Sequence, residues 1–446
     1  MPPARDRLPS FSLLLALLLS ALALNLSSPA AAKGGEGPAA AAGPAARQVL
    51  TAISGTPMGI DVATEADLDA VVRDLAPYFD LLWVRIPPWD KDVLHRPREI
   101  RRMQYVIDRA REQGLKIAFC FSWASLLPPP GQAAEAELAG YEVDPTSGRR
   151  KQAQAWNYGS TKALDEFRRR CRELFMALDR RVEMFVVDEE IIGKPGRNFW
   201  YQPISTYWTS PTYSVASLGS FRKYLAAQGF PEAATARFPV TTRAVEPGAR
   251  ANEGLPAVPL GPDNADFLVA DDGWPSSTLW QAWYRWRTEL YCRWLDAVCQ
   301  EAKAHWGAGP GWLGCQYVMP DFWAVKELGQ DLSQIAELNS VDYLVAGYNS
   351  GTHFDWFAYA ASLRGKKWGC VVQLCTYGKR EGTPPEVIEA SFDKIVGAGA
   401  TIVDVYAGAN FLTRRTTPQD NGLYYMPEQV KAWARCRAKL QGERPH

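Results

Sequence analysis

The sequence has few histidines and no excess of either charge. Only four of its 446 residues are His, at positions 95, 305, 353 and 446, and their spacing matches no metal-binding motif. Lys+Arg and Asp+Glu both total 49, so the formal net charge is zero, whereas nucleic-acid-binding proteins carry a basic excess or a basic face. We therefore predict no nucleic-acid partner and no histidine-based metal site, and leave an all-oxygen cation site open.

Motifs for the common cofactors are also missing. The chain has no zinc-type CxxC pair, no Walker loop and no GxGxxG motif placed after a strand. We therefore predict that no cofactor is bound. The eight Cys lie mostly inside apolar strands or helical patterns, which favours buried thiols over disulfides for most of them.

The first 32 residues have the pattern of a secretory signal. Arg5 and Arg7 precede the apolar run SFSLLLALLLSALALNL, and three alanines follow at 30–32. The run is about as long as a signal core and marginal for a spanning helix. We predict a signal peptide at 1–32, an Ala/Gly/Pro-rich linker at 33–47, and a secreted or periplasmic/cell-envelope protein without an integral membrane domain after signal cleavage. An uncleaved N-terminal anchor is the alternative.

From residue 50 onward, short apolar segments alternate with helical patterns. The eight predicted strands are 58–62, 80–86, 116–123, 182–189, 311–319, 341–348, 367–375 and 401–408. Near-continuous apolar strands indicate a parallel sheet covered by helices, and eight such units indicate an α/β fold of the (β/α)8 TIM-barrel class. We predict a catalytic domain at 48–446 with a long insertion after strand four, at about 191–277.

The fourth predicted strand ends in a cluster of acids. RVEMFVVDEEIIGKPG (181–196) places Asp188, Glu189 and Glu190 where TIM barrels carry their chemistry. On an extended strand Asp188 and Glu190 share a face, and neighbouring negative charges raise the pKa of a carboxyl group, as a general acid requires. The competing interpretation is a solvated cluster that pairs with Lys194 or Arg197.

The other predicted strand ends carry groups that suit a sugar ring. Aromatic faces stack on the C–H face of a sugar, and polar groups bind its hydroxyls. Arg85 requires a partner, which is either a substrate or catalytic carboxylate or a structural ion pair. The remaining substrate-binding candidates are Trp123, Trp156, Glu189, Tyr348, Asn349, Gln373 and Tyr406.

These motifs resemble those of the (β/α)8 retaining glycoside hydrolases of clan A, and among them the catalytic domain of the family 42 β-galactosidases. VVDEEIIG (186–193) is similar to that family's fourth-strand I-D-N-E-[FY]-G signature, and SFRKYLAAQGF (220–230) to the helix that follows it. Arg85 and Tyr348 resemble the clan's second-strand Arg and sixth-strand Tyr. The resemblance implies a carbohydrate substrate, with Glu190 as the acid/base and Asp188 supporting it.

The sequence departs from the clan at two positions. Glu189 replaces the Asn before the acid/base, and Gln373 stands where the seventh strand carries the nucleophilic Glu. Three interpretations stay open. The chain is a glycosidase whose second carboxylate is Asp321, Asp404 or Glu381; it is a glycosidase assisted by a substrate acetamido group; or it is a carbohydrate-binding barrel that has lost its nucleophile.

Overall fold

A computed structural model gives the fold of the chain. It describes residues 49–56, 64–86, 92–122, 125–129, 138–143, 150–188, 215–231, 233–234, 238–240, 267–269, 278–307, 309–314, 330–347, 354–372, 374, 382–405 and 427–442. Twelve strands occur in these residues: β1 Leu50–Thr56, β2 Leu81–Arg85, β3 Lys116–Phe121, β4 Ala139–Val143, β5 Arg150–Trp156, β6 Met184–Asp188, β7 Phe238–Val240, β8 Phe267–Val269, β9 Gly309–Gly314, β10 Tyr343–Ala346, β11 Lys367–Val372 and β12 Ile402–Val405.

Eight of the strands form a closed parallel barrel. Their order around the ring is β1-β2-β3-β6-β9-β10-β11-β12, and β1 closes the ring by pairing with both β12 and β2. Ala52 of β1 lies opposite Asp404 on one side and Leu81 on the other. The predicted TIM-barrel class is therefore confirmed.

Helices follow the strands around the ring. They are α1 Glu65–Leu75, α2 Pro97–Glu112, α3 Thr161–Leu178, α4 Val215–Ala227, α5 Thr278–Trp306, α6 Leu332–Glu337, α7 Phe354–Leu363, α8 Pro385–Gly397 and α9 Pro427–Gln441. Local chemistry sets several of their ends. Thr64 and Asp67 form a capping box at the start of α1, and Ser160 caps α3 by accepting a hydrogen bond from the Ala163 amide.

Alternation along the strands divides the core into two layers. One set of side chains packs inside the barrel: Ala52, Leu81, Trp83, Ala118, Cys120, Met184, Val186, Val345, Val371 and Ile402. The residues between them, such as Leu82, Phe119, Phe185 and Val403, point outward and pack under the helices. This two-sided burial explains why the strands are apolar along nearly their whole length.

Glycines on β9 make room for large neighbours. A Cβ at Gly309 would lie 2.6 Å from the Tyr343 ring, and one at Gly311 would lie 2.8 Å from the Met184 methyl group. Real Cβ atoms do not approach other atoms this closely. The small residues of β9 therefore let Met184 and Tyr343 fill the interior.

The structure corrects the first predicted strand and adds elements that the sequence did not reveal. The barrel strand is Leu50–Thr56, not 58–62, which lies outside the described residues. β4 and β5 form an antiparallel pair between β3 and α3, and the short strands β7 and β8 pair within the predicted insertion. The other seven predicted strands all overlap barrel strands, with ends shifted by a few residues.

Six of the eight cysteines lie within the described residues. Cys120, Cys171, Cys292, Cys299, Cys370 and Cys436 are free thiols and all are buried, as the sequence indicates. Burial raises the pKa of the Cys292 thiol to about 12. Within the described part of the chain, no helix is both long and apolar enough to cross a bilayer.

We expect Gly311→Ala to destabilise the barrel by about 1–3 kcal/mol, because the added methyl group overpacks the interior against Met184 and Tyr343. Thermal unfolding followed by circular dichroism measures this as a lower Tm. The matched control is Gly219→Ala in α4, where a Cβ meets no atom within 4 Å; it should leave stability unchanged or raise it by about 0.5–1 kcal/mol. Equal Tm values for both variants would contradict the packing argument.

Candidate active site

Polar residues follow the apolar interior rows at the carboxyl ends of the strands. On β2, Arg85 comes two residues after the interior Trp83, and on β3, Ser122 comes two residues after Cys120. Asp188 ends β6 two residues after Val186. Residues two apart on a strand share a face, and the carboxyl ends of all eight strands meet at one mouth. The barrel therefore changes from apolar to polar toward the mouth where such folds carry their sites.

Asp404 is a buried carboxylate within the barrel wall. It lies on β12 two residues after the interior Ile402, is 0% exposed, and has Ala52 and Val371 as its neighbours on the adjacent strands. The alternate strands β2, β6 and β10 contribute the interior residues Trp83, Val186 and Val345. Asp404 is thus a buried carboxylate whose neighbours in the barrel interior include several apolar side chains.

A buried ion pair joins Asp92, which precedes α2, to α3. Asp92 and Arg170 of α3 are each less than a tenth exposed, and the Arg170 guanidinium donates to Asp92 Oδ2. Asp92 Oδ1 also accepts a hydrogen bond from the Leu94 amide at 3.3 Å, and His95 Nε2 lies 3.4 Å from Oδ2. The segment that begins at Asp92 is thereby fixed against α3.

The segment after β3 contains two buried serines and accepts a hydrogen bond from a tryptophan of β5. Ser122 and Ser125 are 6% and 0% exposed, and the Ser125 amide donates to the Ser122 carbonyl. Among the described residues, the Ser125 hydroxyl has no hydrogen-bond partner. Trp156 donates its Nε1–H to the Leu126 carbonyl. The segment therefore presents buried hydroxyls next to the mouth.

Trp156 does not line a sugar site. It is 1% exposed and packs against Phe167 and Trp294, with ring centroids 5.6 and 6.0 Å apart. The aromatic face that the sequence offered for stacking is used by the core between α3 and α5.

Most of the predicted site residues fall outside the described part of the chain. Arg85 ends β2 and is half-buried, and the backbone of Asp188 ends β6. Positions outside the described residues are Trp123, Glu189, Glu190, Asp321, Tyr348, Asn349, Gln373, Glu381 and Tyr406.

Sequence reasoning missed the pairing of Asp92 with Arg170 and the buried Ser125. Seventy-eight positions separate the ion-pair partners, and no local pattern marks such a contact. The local sequence signal for Ser125 is weak, because it is simply a serine that follows an apolar strand, as Ser122 is. Within the described residues, no three His, Cys, Asp or Glu side chains come together as a metal site.

The fold resembles solved glycoside hydrolases, although no protein-family model and no curated protein sequence matches the chain. The catalytic domain of β-amylase from Paenibacillus polymyxa matches with a TM-score of 0.56 at 12% identity, over 90% of this chain and 100% of that chain. A catalytic mutant of Gan42B, a GH42 β-galactosidase from G. stearothermophilus, matches with a TM-score of 0.54 at 13% identity, over 89% of this chain and 57% of that chain. The resemblance to clan A glycoside hydrolases is thus confirmed for the fold.

We expect Arg170→Met to lower the free energy of unfolding by about 3–5 kcal/mol, because it leaves Asp92 charged and buried without its partner. Urea denaturation measures the change. The double variant Asp92→Asn/Arg170→Met should recover most of the loss, since no unpaired charge remains.

The neighbouring Arg169 provides the control. Arg169 pairs with Glu166 at 2.6 Å on the exposed face of α3, and exposed pairs contribute about 0–1 kcal/mol. If Arg170→Met were no less stable than Arg169→Met, the buried pair would not contribute to the free energy of unfolding.

Proposed function

We propose that this protein is a glycoside hydrolase that cleaves O-glycosidic bonds of a poly- or oligosaccharide, with Glu190 as the general acid/base. The observation that carries the proposal is the change from apolar to polar residues toward one mouth of a glycosidase-like barrel, at Arg85 and Ser122. A site of this kind binds a polar ligand against a rigid apolar floor.

The acid cluster on the fourth barrel strand fits the role of general acid. β6 ends at Asp188, and Glu190 follows two residues later in the sequence. The leaving oxygen of a glycoside must be protonated as the bond breaks, which needs a carboxylic acid with a raised pKa. The neighbouring carboxylates Asp188 and Glu189 favour the protonated form of Glu190, since they oppose its ionisation.

Asp404 is our proposal for the second carboxylate. The support for this choice is that Asp404 belongs to an interior row of the barrel, between Ala52 and Val371 of the adjacent strands. Its strand is the eighth of the ring and β6 is the fourth, so these two strands lie on opposite sides of the barrel. A sugar bound between them would have one acid on each face, as glycoside hydrolysis requires.

The remaining candidates would bind the substrate. Arg85 would bind a hydroxyl or carboxylate group of the ligand or orient an acid, and Trp123, Glu189, Tyr348, Asn349, Gln373 and Tyr406 would line the sugar site. The N-terminal signal pattern supports export to the envelope or the medium, where polymeric carbohydrate is found.

A carbohydrate-binding barrel without catalysis is the second candidate. The observation that favours it is Gln373 at the end of the seventh barrel strand, because an amide cannot form a glycosyl–enzyme intermediate. A substrate with an acetamido group would replace that nucleophile itself, and such a substrate belongs in any activity screen.

We expect Glu190→Gln to lower kcat on aryl glycosides by about 10²–10⁴-fold, because an amide cannot donate the proton. The loss should be larger for a phenyl glycoside than for a dinitrophenyl glycoside, whose leaving group needs little protonation. Steady-state kinetics on both substrates measures the difference.

The control for this experiment is Glu183→Gln. Glu183 precedes β6 at the opposite face of the barrel, where it pairs with Arg111 at 2.9 Å, and that face of a TIM barrel serves stability. Its kcat should equal that of the unmodified protein. Sugar binding without turnover in every variant would establish the non-catalytic alternative.

We expect Asp404→Asn to lower kcat by at least about 10²-fold and to change the acidic limb of the pH–rate profile, since it removes a charge without changing the side-chain shape. Thermal unfolding is measured alongside. A variant with unchanged kcat and pH profile but a lowered Tm would assign Asp404 to the packing of the barrel and reject it as the second carboxylate.

A further inference from the structure

An aromatic stripe runs along the exposed face of α7. Five large apolar side chains are exposed within the described residues, and three of them lie on this one helix. Trp356 is 46% exposed, and Tyr359 and Leu363 are each 59% exposed. Their spacing of three and four positions places them on one face, while the opposite face of α7 packs Phe354 and Phe357 into the core.

The core side of α7 is fixed, so the stripe is presented rigidly. Phe354 stacks on Trp368 with ring centroids 5.7 Å apart, and Phe357 stacks on Trp312 at 6.0 Å. The helix begins eight residues after β10 ends at the mouth, and leads to β11, which starts at the opposite face. The stripe therefore lies on the outer wall of the barrel, away from the interior rows.

The stripe is too small to hold a second copy of the chain. A side chain of this size has about 200 Å² of surface, so the three together expose roughly 300 Å². Each partner in a stable dimer buries about 800 Å². A ligand about the size of two rings matches the area better.

The charges around the stripe do not favour a membrane surface. Anionic lipid attracts free Lys and Arg beside an apolar face. The basic residues that follow α7 are engaged: Arg364 pairs with Glu337 at 2.6 Å, and Lys366 Nζ donates to the Leu338 carbonyl at 2.7 Å. The exposed Asp355 adds negative charge next to Trp356.

We infer that Trp356 and Tyr359 form a second carbohydrate-binding surface, separate from the barrel mouth, that holds pyranose rings of a polysaccharide chain. Both side chains combine a broad face for the C–H side of a sugar with a polar edge. Leu363 offers no flat ring on which a sugar could stack, so it lies on the stripe but outside the binding surface. Asp355 is available for hydroxyl groups. The inference rests on the proposed carbohydrate function, but it does not require that the mouth be catalytic.

The test is affinity electrophoresis of the full chain in gels that contain soluble starch, galactomannan, carboxymethyl cellulose or glycol chitosan. The variants are Trp356→Ala/Tyr359→Ala, the control Leu363→Ala, and Glu190→Gln. We expect retardation by at least one polymer to weaken about tenfold in the double variant, since two stacking contacts are lost. Retardation of Leu363→Ala and Glu190→Gln should stay within about twofold of the unmodified protein, and turnover of a small aryl glycoside should be unchanged in the double variant.

Retardation by no polymer, or equal retardation of the double variant and the unmodified protein, overturns the inference even if aryl glycosides are hydrolysed. Retardation that is lost only in the double variant supports the inference, even if no variant shows turnover. The absence of turnover would reject the hydrolase proposal but not the second binding surface. A dimer on size-exclusion chromatography that dissociates in both the double variant and Leu363→Ala would assign the stripe to a second copy and overturn the inference.

Discussion

Closure of the eight-stranded ring is the constraint on which the rest of this structure depends. Once β1 pairs with both β12 and β2, every strand residue is either inside or outside the barrel. The inside is narrow and is filled by ten apolar residues that include Trp83 and Met184. The glycines of β9 contribute to this packing, because a Cβ at Gly309 or Gly311 would overlap the side chain of Tyr343 or Met184.

Closure also decides where polar groups can lie. An interior filled with apolar side chains has no space for hydrated charge, so polar residues of the interior rows come at the strand ends, where Arg85 and Ser122 are found. Asp404 is the exception, since it is fully buried beside Ala52 and Val371. A carboxylate in such surroundings costs stability. Its retention is more easily understood as a requirement of the site than as a requirement of the fold.

The same fold accommodates many reactions, so the likeness to a β-amylase and a β-galactosidase limits the architecture more than the chemistry. The acids at 188–190 in the sequence favour hydrolysis, whereas the sequence has Gln373 where the retaining clan is expected to have its nucleophilic Glu. If both the mouth and the stripe on α7 bind sugar, the two surfaces would act together on a polymer. The mouth would then determine the bond that is cleaved, and Trp356 and Tyr359 would raise the local concentration of the chain.

The sequence by itself determined the fold class, seven of the eight barrel strands and the buried state of most cysteines, because these follow from local hydrophobic periodicity. It also predicts site residues at the ends of β2 and β6. It misplaced the first strand, since 58–62 alternates more regularly than Leu50–Thr56, and only pairing with β2 and β12 distinguishes them. Tertiary structure alone decided that Trp156 is a core residue, that Arg170 neutralises Asp92 and that Asp404 is buried within the ring. These facts depend on contacts between residues far apart in the chain, and such contacts leave no trace in local sequence.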